Sequence, residues 1–393
     1  MDFSAMPNRS RFEDLKRLLA DRNRFYGDRL RRAVAFSDIP FTSKTELVED
    51  QLAHPPFGSN LTFPVEQYTR LHQTSGTSGR PLLWLDTAES WDWWLRCWAE
   101  VYRGAGVRAG DRVFVAFSFG PFIGFWTAFE AAQRMGLMAL SGGGQSTGQR
   151  VRSIVEREAT VLVCTPTYAL RLAETALSSG IDLAASSIRI TIHAGEPGAG
   201  IPATRARIQE SFGARTFDHA GMTEIGAYGF ECEAQSGMHI NEDEFIAEAI
   251  GGELVLTNLG RPGMPLIRYR TGDRVEMSHE PCVCGRTSAR LIGGVLGRVD
   301  DMITIRGMNV FPAAIENIVR RHPAVIEYSI EVDRRREMDE LRLKVEVTDP
   351  SVVELLRRDL LESLHLRAGV ERVPAGSLPR FEMKSRRVVF LSE

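Results

Sequence analysis

Residues 74–81 read TSGTSGRP, with hydroxyls at Thr74, Ser75, Thr77 and Ser78, glycines at Gly76 and Gly79, and a cation at Arg80. Hydroxyls and exposed backbone N–H groups donate, and glycine lets a backbone approach an anion closely, so the composition suits a polyphosphate. It is not the G-x-x-x-x-G-K-[ST] loop, because no Lys-Ser or Lys-Thr pair follows at that spacing. A plain Ser/Gly-rich surface turn has the same composition. A second set is independent of phosphate: Cys232, His239, Cys282 and Cys284 supply three thiolates and one imidazole, the donors of a closed structural zinc site. With all four positions taken by protein, such an ion would staple the antiparallel region rather than touch a substrate. Cys97 and Cys164 lie in apolar stretches and are expected to be simply buried.

The elements that must position these groups follow from length and periodicity. A chain of 393 residues suggests two or three domains. Its composition, 43% hydrophobic and 25% charged, is that of a soluble globular protein. A net charge of −3 gives no basic stripe for a phosphate backbone, so nucleic acid is excluded as a partner. The amino terminus lacks an apolar signal core, and the longest uncharged run, Val113 to Phe129, is interrupted by Gly120, Pro121 and Gly124. A cytoplasmic protein with no membrane partner is expected. Residues 1–70 read as one charged amphipathic helix, RFEDLKRLLADRNRFYGDRLRRAV, followed by irregular chain. From Arg112 to Asp218 the β-rich runs RVFVAFSF, LMALSGG, TVLVCTP, IRITIHAG and ARTFDHAG alternate with helical ones. That alternation predicts an α/β fold, a parallel sheet with crossover helices and ligand loops at the strands' carboxyl ends. MHINEDEFIAEAIGGELVLTNL and LIRYRTGDRVEM predict a small antiparallel β region. After GRVDD the pattern restarts with a strand at MITIRG, a helix at 312–321, strands near 325–333 and 340–348, a helix at 351–365 and the strand RRVVFL. The expected division is therefore 1–299, a large domain, and 300–393, a small mobile α+β domain on a hinge near Asp300.

Read in order, these segments resemble the adenylate-forming superfamily, specifically its phenylacetate–CoA ligase-like branch, over about residues 35 to 391. TSGTSGRP looks like the family's phosphate loop, HAGEP (193–197) like its adenine and ribose segment, and DHAGMTE (218–224) like the segment with the magnesium carboxylate. YRTGD (269–273) looks like the ribose-binding turn, GRVDDMITIRGMNVFP (297–312) like the hinge, and LPRFEMKSRRV (378–388) like the terminal segment with the catalytic lysine. The resemblance implies ATP and Mg²⁺ as cofactors and attack of a carboxylate on the α-phosphate, giving an acyl-adenylate and pyrophosphate. Charge builds on phosphate oxygens in such a step, so positioning and electrostatic stabilisation do most of the work.

By the same resemblance Lys384 would bridge the carboxylate and the α-phosphate, Glu224 would hold Mg²⁺, and Thr223 would add a hydroxyl nearby. Thr74, Ser75, Gly76, Thr77, Ser78 and Gly79 would cradle phosphates. Gly195, Glu196, Pro197, Asp218 and His219 would line the base and ribose, with Asp273 accepting from the ribose hydroxyls, Arg298 beside them and Asp300 as the pivot. The acid pocket would draw on SFGPFIGFW (118–126) and SGGG (141–144), with Phe119, Gly120, Phe122, Gly142, Gly143, Ala220, Gly221 and Met222. Glycines leave room for a flat ring and phenylalanines cover it, so an aryl acid is implied. No unpaired cation stands in these segments, so a neutral or weakly polar ring substituent is expected. The family's usual aromatic ahead of the motif glycine is replaced here by Ala220, and His219 is a candidate substitute for its stacking. Cysteine-bearing members of the branch carry a pattern like that of Cys232, His239, Cys282 and Cys284. The implied acceptor of the acyl group is coenzyme A. Alternatives are a carrier protein, an amine or a hydroxyl, as in aminobenzoate- or hydroxybenzoate-type ligases, and a nucleotide-binding module without turnover is a reading of another class. A homodimer is compatible with all of them.

Overall fold

The computed structural model describes residues 8–74, 80–120, 123–299, 301–305, 308–333, 340–366, 368–381 and 384–391. Ser75, Gly76, Thr77, Ser78, Gly79, Phe122 and Asp300 lie outside the described residues. The chain opens with α1 (Arg9–Arg22), α2 (Gly27–Arg32) and α3 (Lys44–Ala53). Two expectations are corrected here, the single opening helix and the irregular chain after it. Asn23 breaks the helix: its buried side chain donates to Asn60 Oδ1 at 3.0 Å and Thr62 Oγ1 at 2.9 Å and accepts from the backbone N–H of Tyr26 at 3.0 Å. A side-chain amide so engaged competes with helix continuation. Ser43 then caps α3 by accepting from the Glu46 N–H at 3.2 Å.

β1 (Tyr68–Gln73) and β2 (Leu83–Thr87) pair antiparallel. α4 (Ala88–Gly104) follows, burying Trp91, Trp93, Trp94 and Trp98. Next come β3 (Arg112–Val115), α5 (Trp126–Arg134), β4 (Met138–Ser141), α6 (Thr147–Glu156), β5 (Val161–Cys164), α7 (Pro166–Ser178), β6 (Ile190–His193), α8 (Pro202–Phe212) and β7 (Arg215–Met222). The strands from β3 to β7 pair in parallel in the spatial order β7-β6-β5-β3-β4. Every residue of β5 and β6 is buried, as helices on both faces of a parallel sheet require.

The antiparallel region comprises β8 (Gly226–Glu231), β9 (Met238–Ile240), β10 (Phe245–Ile250), β11 (Glu253–Asn258), β12 (Tyr269–Arg274), β13 (Met277–Ser278), β14 (Arg290–Leu291) and β15 (Gly297–Arg298). β8, β9, β14 and β13 extend the parallel sheet beyond β7, while β10-β11-β12-β15 make a separate sheet. The last stretch holds β16 (Ile303–Ile305), β17 (Met308–Val310), α9 (Pro312–Arg320), β18 (Val325–Asp333), β19 (Glu340–Val347), α10 (Val352–Leu364), β20 (Gly369–Arg372) and β21 (Val388–Leu391). Its sheet runs β20-β19-β18-β21, and its buried core, from Ile303 to Val370, shares no member with the two cores of the preceding chain. No helix among the described residues is long and apolar enough to cross a membrane.

Candidate active site

The carboxyl ends of β5, β6 and β7 lie side by side, at the edge where a parallel sheet with crossover helices places its ligand crevice. Leaving β6, the chain turns at Gly195 with φ +95°, a conformation that favours glycine. Lys384, from the segment just before β21, crosses this turn: a Cβ on Gly195 would stand 3.4 Å from the lysine Cε. The residue keeps solvent access through the open cleft, yet protein crowds its ammonium. This desolvation holds the Lys384 pKa below the ordinary lysine value, aided by the charge of Arg298 and opposed by those of Glu196, Glu224 and Asp273.

Glu196 points at the lysine's own segment. Its Oε2 accepts from the Ser385 N–H at 2.6 Å and from Ser385 Oγ at 2.7 Å, and its Oε1 accepts from the Thr167 N–H at 3.1 Å. Pro197 and Gly195 are exposed toward the cleft.

Glu224 is buried, and its Oε1 accepts from Tyr269 Oη at 3.4 Å. The turn carrying Thr223 and Glu224 is held from behind by Arg261, whose Nη1 donates to the two backbone carbonyls at 2.6 and 3.1 Å. Arg261 pairs in turn with Asp86 of β2 through two bonds of 2.7 and 2.6 Å, and both side chains are wholly buried. The sequence reading missed this pair, since 175 residues separate its members. Asp273 Oδ2 accepts from Tyr228 Oη at 3.1 Å, and Arg298 faces Oδ1 at 3.5 Å from the directly paired position on β15.

Asp218 stands beside His193 across the β6–β7 pair, half-buried with its carboxylate toward Gly200. Burial, with Glu231 beside it, pushes Asp218 up to about 8. Glu231 carries the salt bridge of that cluster, to Arg205 at 2.7 Å. His219 turns the other way. Its ring packs on Trp98 with centroids 4.5 Å apart, Nδ1–H donates to the Gly229 carbonyl at 2.7 Å, and burial lowers its pKa to about 4. Ala220 is buried against Gly229, while a Cβ on Gly221 would meet the Gly226 carbonyl at 3.0 Å. Met222 is half-buried at the strand's end.

At the neighbouring strand ends the Phe119 ring covers Gly143, whose Cβ would lie 3.1 Å from it, and packs on Trp126 with centroids 4.5 Å apart. The Gly120 carbonyl accepts from Trp126 Nε1 at 3.2 Å. Gly142 is buried under the end of β3, where a Cβ would meet Phe114 and the Val115 carbonyl at 3.0 Å. Behind these loops is Arg150, 2% exposed, which the sequence reading also missed. Its guanidinium donates to the Gly142 carbonyl at 2.8 Å, Tyr168 Oη at 2.6 Å and Ser118 Oγ at 2.9 Å, tying three strand ends together. The available signal was an arginine flanking Val151 and Ile154 on the buried side of α6. Thr74, at the end of β1, is bonded twice to Leu82: its N–H donates to the Leu82 carbonyl and its Oγ1 accepts from the Leu82 N–H, both at 3.0 Å.

Away from the cleft, Cys232, His239, Cys282 and Cys284 bring four donor atoms within 4.8 Å of one another. Cys232 Sγ lies 3.8 Å from Cys282 Sγ, and Cys284 Sγ 3.5 Å from His239 Nε2. Tetrahedral zinc, bonded at about 2.3 Å to sulfur and about 2.0 Å to nitrogen, separates its donors by about 3.5–3.8 Å, so the set fits that ion. His239 Nδ1 is oriented by Ser288 Oγ at 3.0 Å. Cys97 and Cys164 are buried in the cores, as expected.

Residues 307–390 match the family model described as the AMP-binding enzyme C-terminal domain. The chain is 34% identical to the phenylacetate-coenzyme A ligase of Thermus thermophilus, over 90% of this chain and 86% of that one. It is 32% identical to that of Escherichia coli, over 89% and 84%. Its structure superimposes on 2-hydroxyisobutyryl-CoA ligase in the postadenylation state with a TM-score of 0.91 at 28% identity, over 97% of this chain and 88% of that one. Against the same relative in the thioesterification state, bound to an acyl-AMP and CoA, the TM-score is 0.72 at 29% identity, over 97% and 88%. The chain belongs to the phenylacetate–coenzyme A ligase family of adenylate-forming enzymes.

Proposed function

We propose that the protein is an acid–thiol ligase that activates an aryl carboxylic acid with ATP and passes the acyl group to coenzyme A. The observation that carries this reading is the convergence, at one cleft, of Lys384 from the carboxyl-terminal segment with Gly195, Glu224, Asp273 and Arg298 from the preceding chain. A substrate carboxylate beside the α-phosphate would bring two anions to one ammonium, and Lys384 offsets both. As the carboxylate oxygen bonds to phosphorus, pyrophosphate departs with the electron pair of the broken P–O bond. Lys384 then faces the charge that builds on the α-phosphate oxygens, and the protein crowding its ammonium strengthens that interaction. ATP enters with Mg²⁺, for which the buried carboxylate of Glu224 is the chain's suitable hard ligand, and Thr223 stands next to it. Asp273, already oriented by Tyr228, is suited to accept from a pair of ribose hydroxyls. In the second half-reaction the thiol sulfur of coenzyme A attacks the acyl carbon and AMP leaves. We divide the chain at Asp300 into a large domain, 1–299, and a mobile one, 300–393, whose separate cores suit rigid-body movement between the half-reactions.

The aryl class rests on Phe119 over Gly143 and on the neighbouring Trp126 and Phe129. Arg150 holds the wall of this pocket with neutral acceptors, and its near-complete burial keeps it behind that wall. The zinc site is structural in this reading, and its four ligands bridge β8, β9 and the loop before β14. The test is ATP–pyrophosphate exchange over benzoate, aminobenzoate, hydroxybenzoate and phenylacetate acids, with coenzyme A added in a second series. Exchange with one subset and acyl-CoA formation from it is the expected outcome; silence with every acid would overturn it.

A further inference from the structure

We propose that Glu196 is a positioning residue for adenylation, clamping the Lys384 segment against the large domain, and that the clamp must open before thioesterification. This rests on the two-step reading above. Three donors converge on one carboxylate, and two of them belong to Ser385, the residue next to the lysine. Bonds of 2.6 and 2.7 Å to an ionised acceptor are of the charge-assisted kind and fix direction as well as distance. The same carboxylate accepts from the Thr167 N–H at the first turn of α7, so the clamp is anchored to a helix packed on the central sheet.

Two residues further on, Arg387 reinforces it: Nη1 donates to Thr167 Oγ1 at 3.2 Å while Nε donates to Glu327 Oε1 at 2.8 Å. Alternation therefore puts Ser385, on Glu196, and Arg387, on the start of α7, on one side, and leaves Lys384 over Gly195. Farther from the lysine, α8 and α9 meet through Ala203 N–H to Asn317 Oδ1 at 3.2 Å and Thr204 Oγ1 to Glu316 Oε1 at 3.1 Å. Those contacts dock the small domain, but among the described residues it is Glu196 that bonds Ser385, next to Lys384. The whole-chain likeness is to a relative in its postadenylation state, and it is far weaker to the same relative in its thioesterification state. The clamp thus belongs to the first arrangement. A carboxylate that fixes the segment carrying Lys384 would raise the first rate and leave no such hold on the second.

The experiment separates the half-reactions in the full-length enzyme. ATP–pyrophosphate exchange reads the first; acyl-CoA formation from chemically synthesised acyl-adenylate and coenzyme A reads the second. Glu196→Gln keeps the shape and removes the charge, and is expected to lower the exchange kcat by about 10- to 100-fold, as small misplacements of reacting groups do. Acyl-CoA formation is read at saturating acyl-adenylate, so that any change in nucleotide binding at Glu196 appears in KM, and its kcat should fall by far less than the exchange kcat. Ser385→Ala, which retains the backbone donor, should show a smaller loss confined to the same half-reaction. Equal losses in both halves, or unchanged exchange in Glu196→Gln, would overturn the clamp. Amide hydrogen exchange across residues 384–391 gives a reading that needs no turnover: the Ser385 N–H should exchange at least about tenfold faster in Glu196→Gln, and an unchanged rate would refute the proposal. If wild type gave no exchange with any acid, the ligase reading would fail while the hydrogen-exchange result still judged the clamp.

Discussion

Lys384 is held beside three carboxylates and one guanidinium, and its protein surroundings oppose the charge it must carry. Lysine-to-alanine at this position should reduce pyrophosphate exchange by at least about a hundredfold while leaving the melting temperature nearly unchanged, because removing an exposed ammonium that its protein surroundings disfavour costs little stability. The pH dependence follows from the direction of its shift. The ammonium is the competent form, so kcat/KM for adenylation is full at lower pH and falls as pH rises through the folded-state pKa. Since that pKa is lowered, the alkaline limb should lie below the ordinary lysine range. Lys384→Arg should be slower but lack the limb, and a limb that persists in it would assign the titration elsewhere. At this scale the sequence was partly legible. Lys384, Glu224 and Asp273 could be named from motif order, whereas Arg150 and the Asp86–Arg261 pair could not, because nothing local distinguishes an arginine whose partners lie many residues away.

The elements show where local pattern suffices. Each β-rich run read between residues 112 and 218 corresponds to a strand of the central sheet, since continuous apolar runs bounded by Gly, Pro and Ser carry their own signal. The opening helix did not, because its break depends on Asn23 finding Asn60 and Thr62. Two predictions belong here. Asp86→Asn would leave Arg261 buried without its carboxylate, costing about 3–5 kcal/mol; chemical denaturation should show that loss, with exchange activity falling as the Thr223–Glu224 turn loosens. Cys282→Ser should drop zinc from about one ion per chain toward none by elemental analysis and lower the melting temperature by roughly 5–10 °C. Full zinc occupancy in that variant would contradict the site.

For the whole molecule, the question is how much of the first half-reaction resides in residues 1–299. A chain ending there retains both of its cores and the residues proposed to bind nucleotide, and loses Lys384 and the α9 side of the α8–α9 contact. It should unfold cooperatively and show an ATP-dependent rise in melting temperature, yet give no pyrophosphate exchange. Residual exchange above about one per cent of wild type would mean that the small domain is dispensable for the chemistry. From residue 112 onward the sequence alone determined the order of the main strands and helices, the restart of the pattern after residue 300 and the residue types at each strand end, because periodicity, turn chemistry and donor inventory are properties of short stretches. Tertiary structure alone decided which of those residues meet: three thiols and an imidazole drawn from 53 positions of chain, Lys384 over Gly195, His219 turned onto Trp98, and Glu196 turned onto Ser385. Those outcomes depend on strand register and on the packing of one core against another. Both are set by contacts far apart in sequence, which no local pattern encodes.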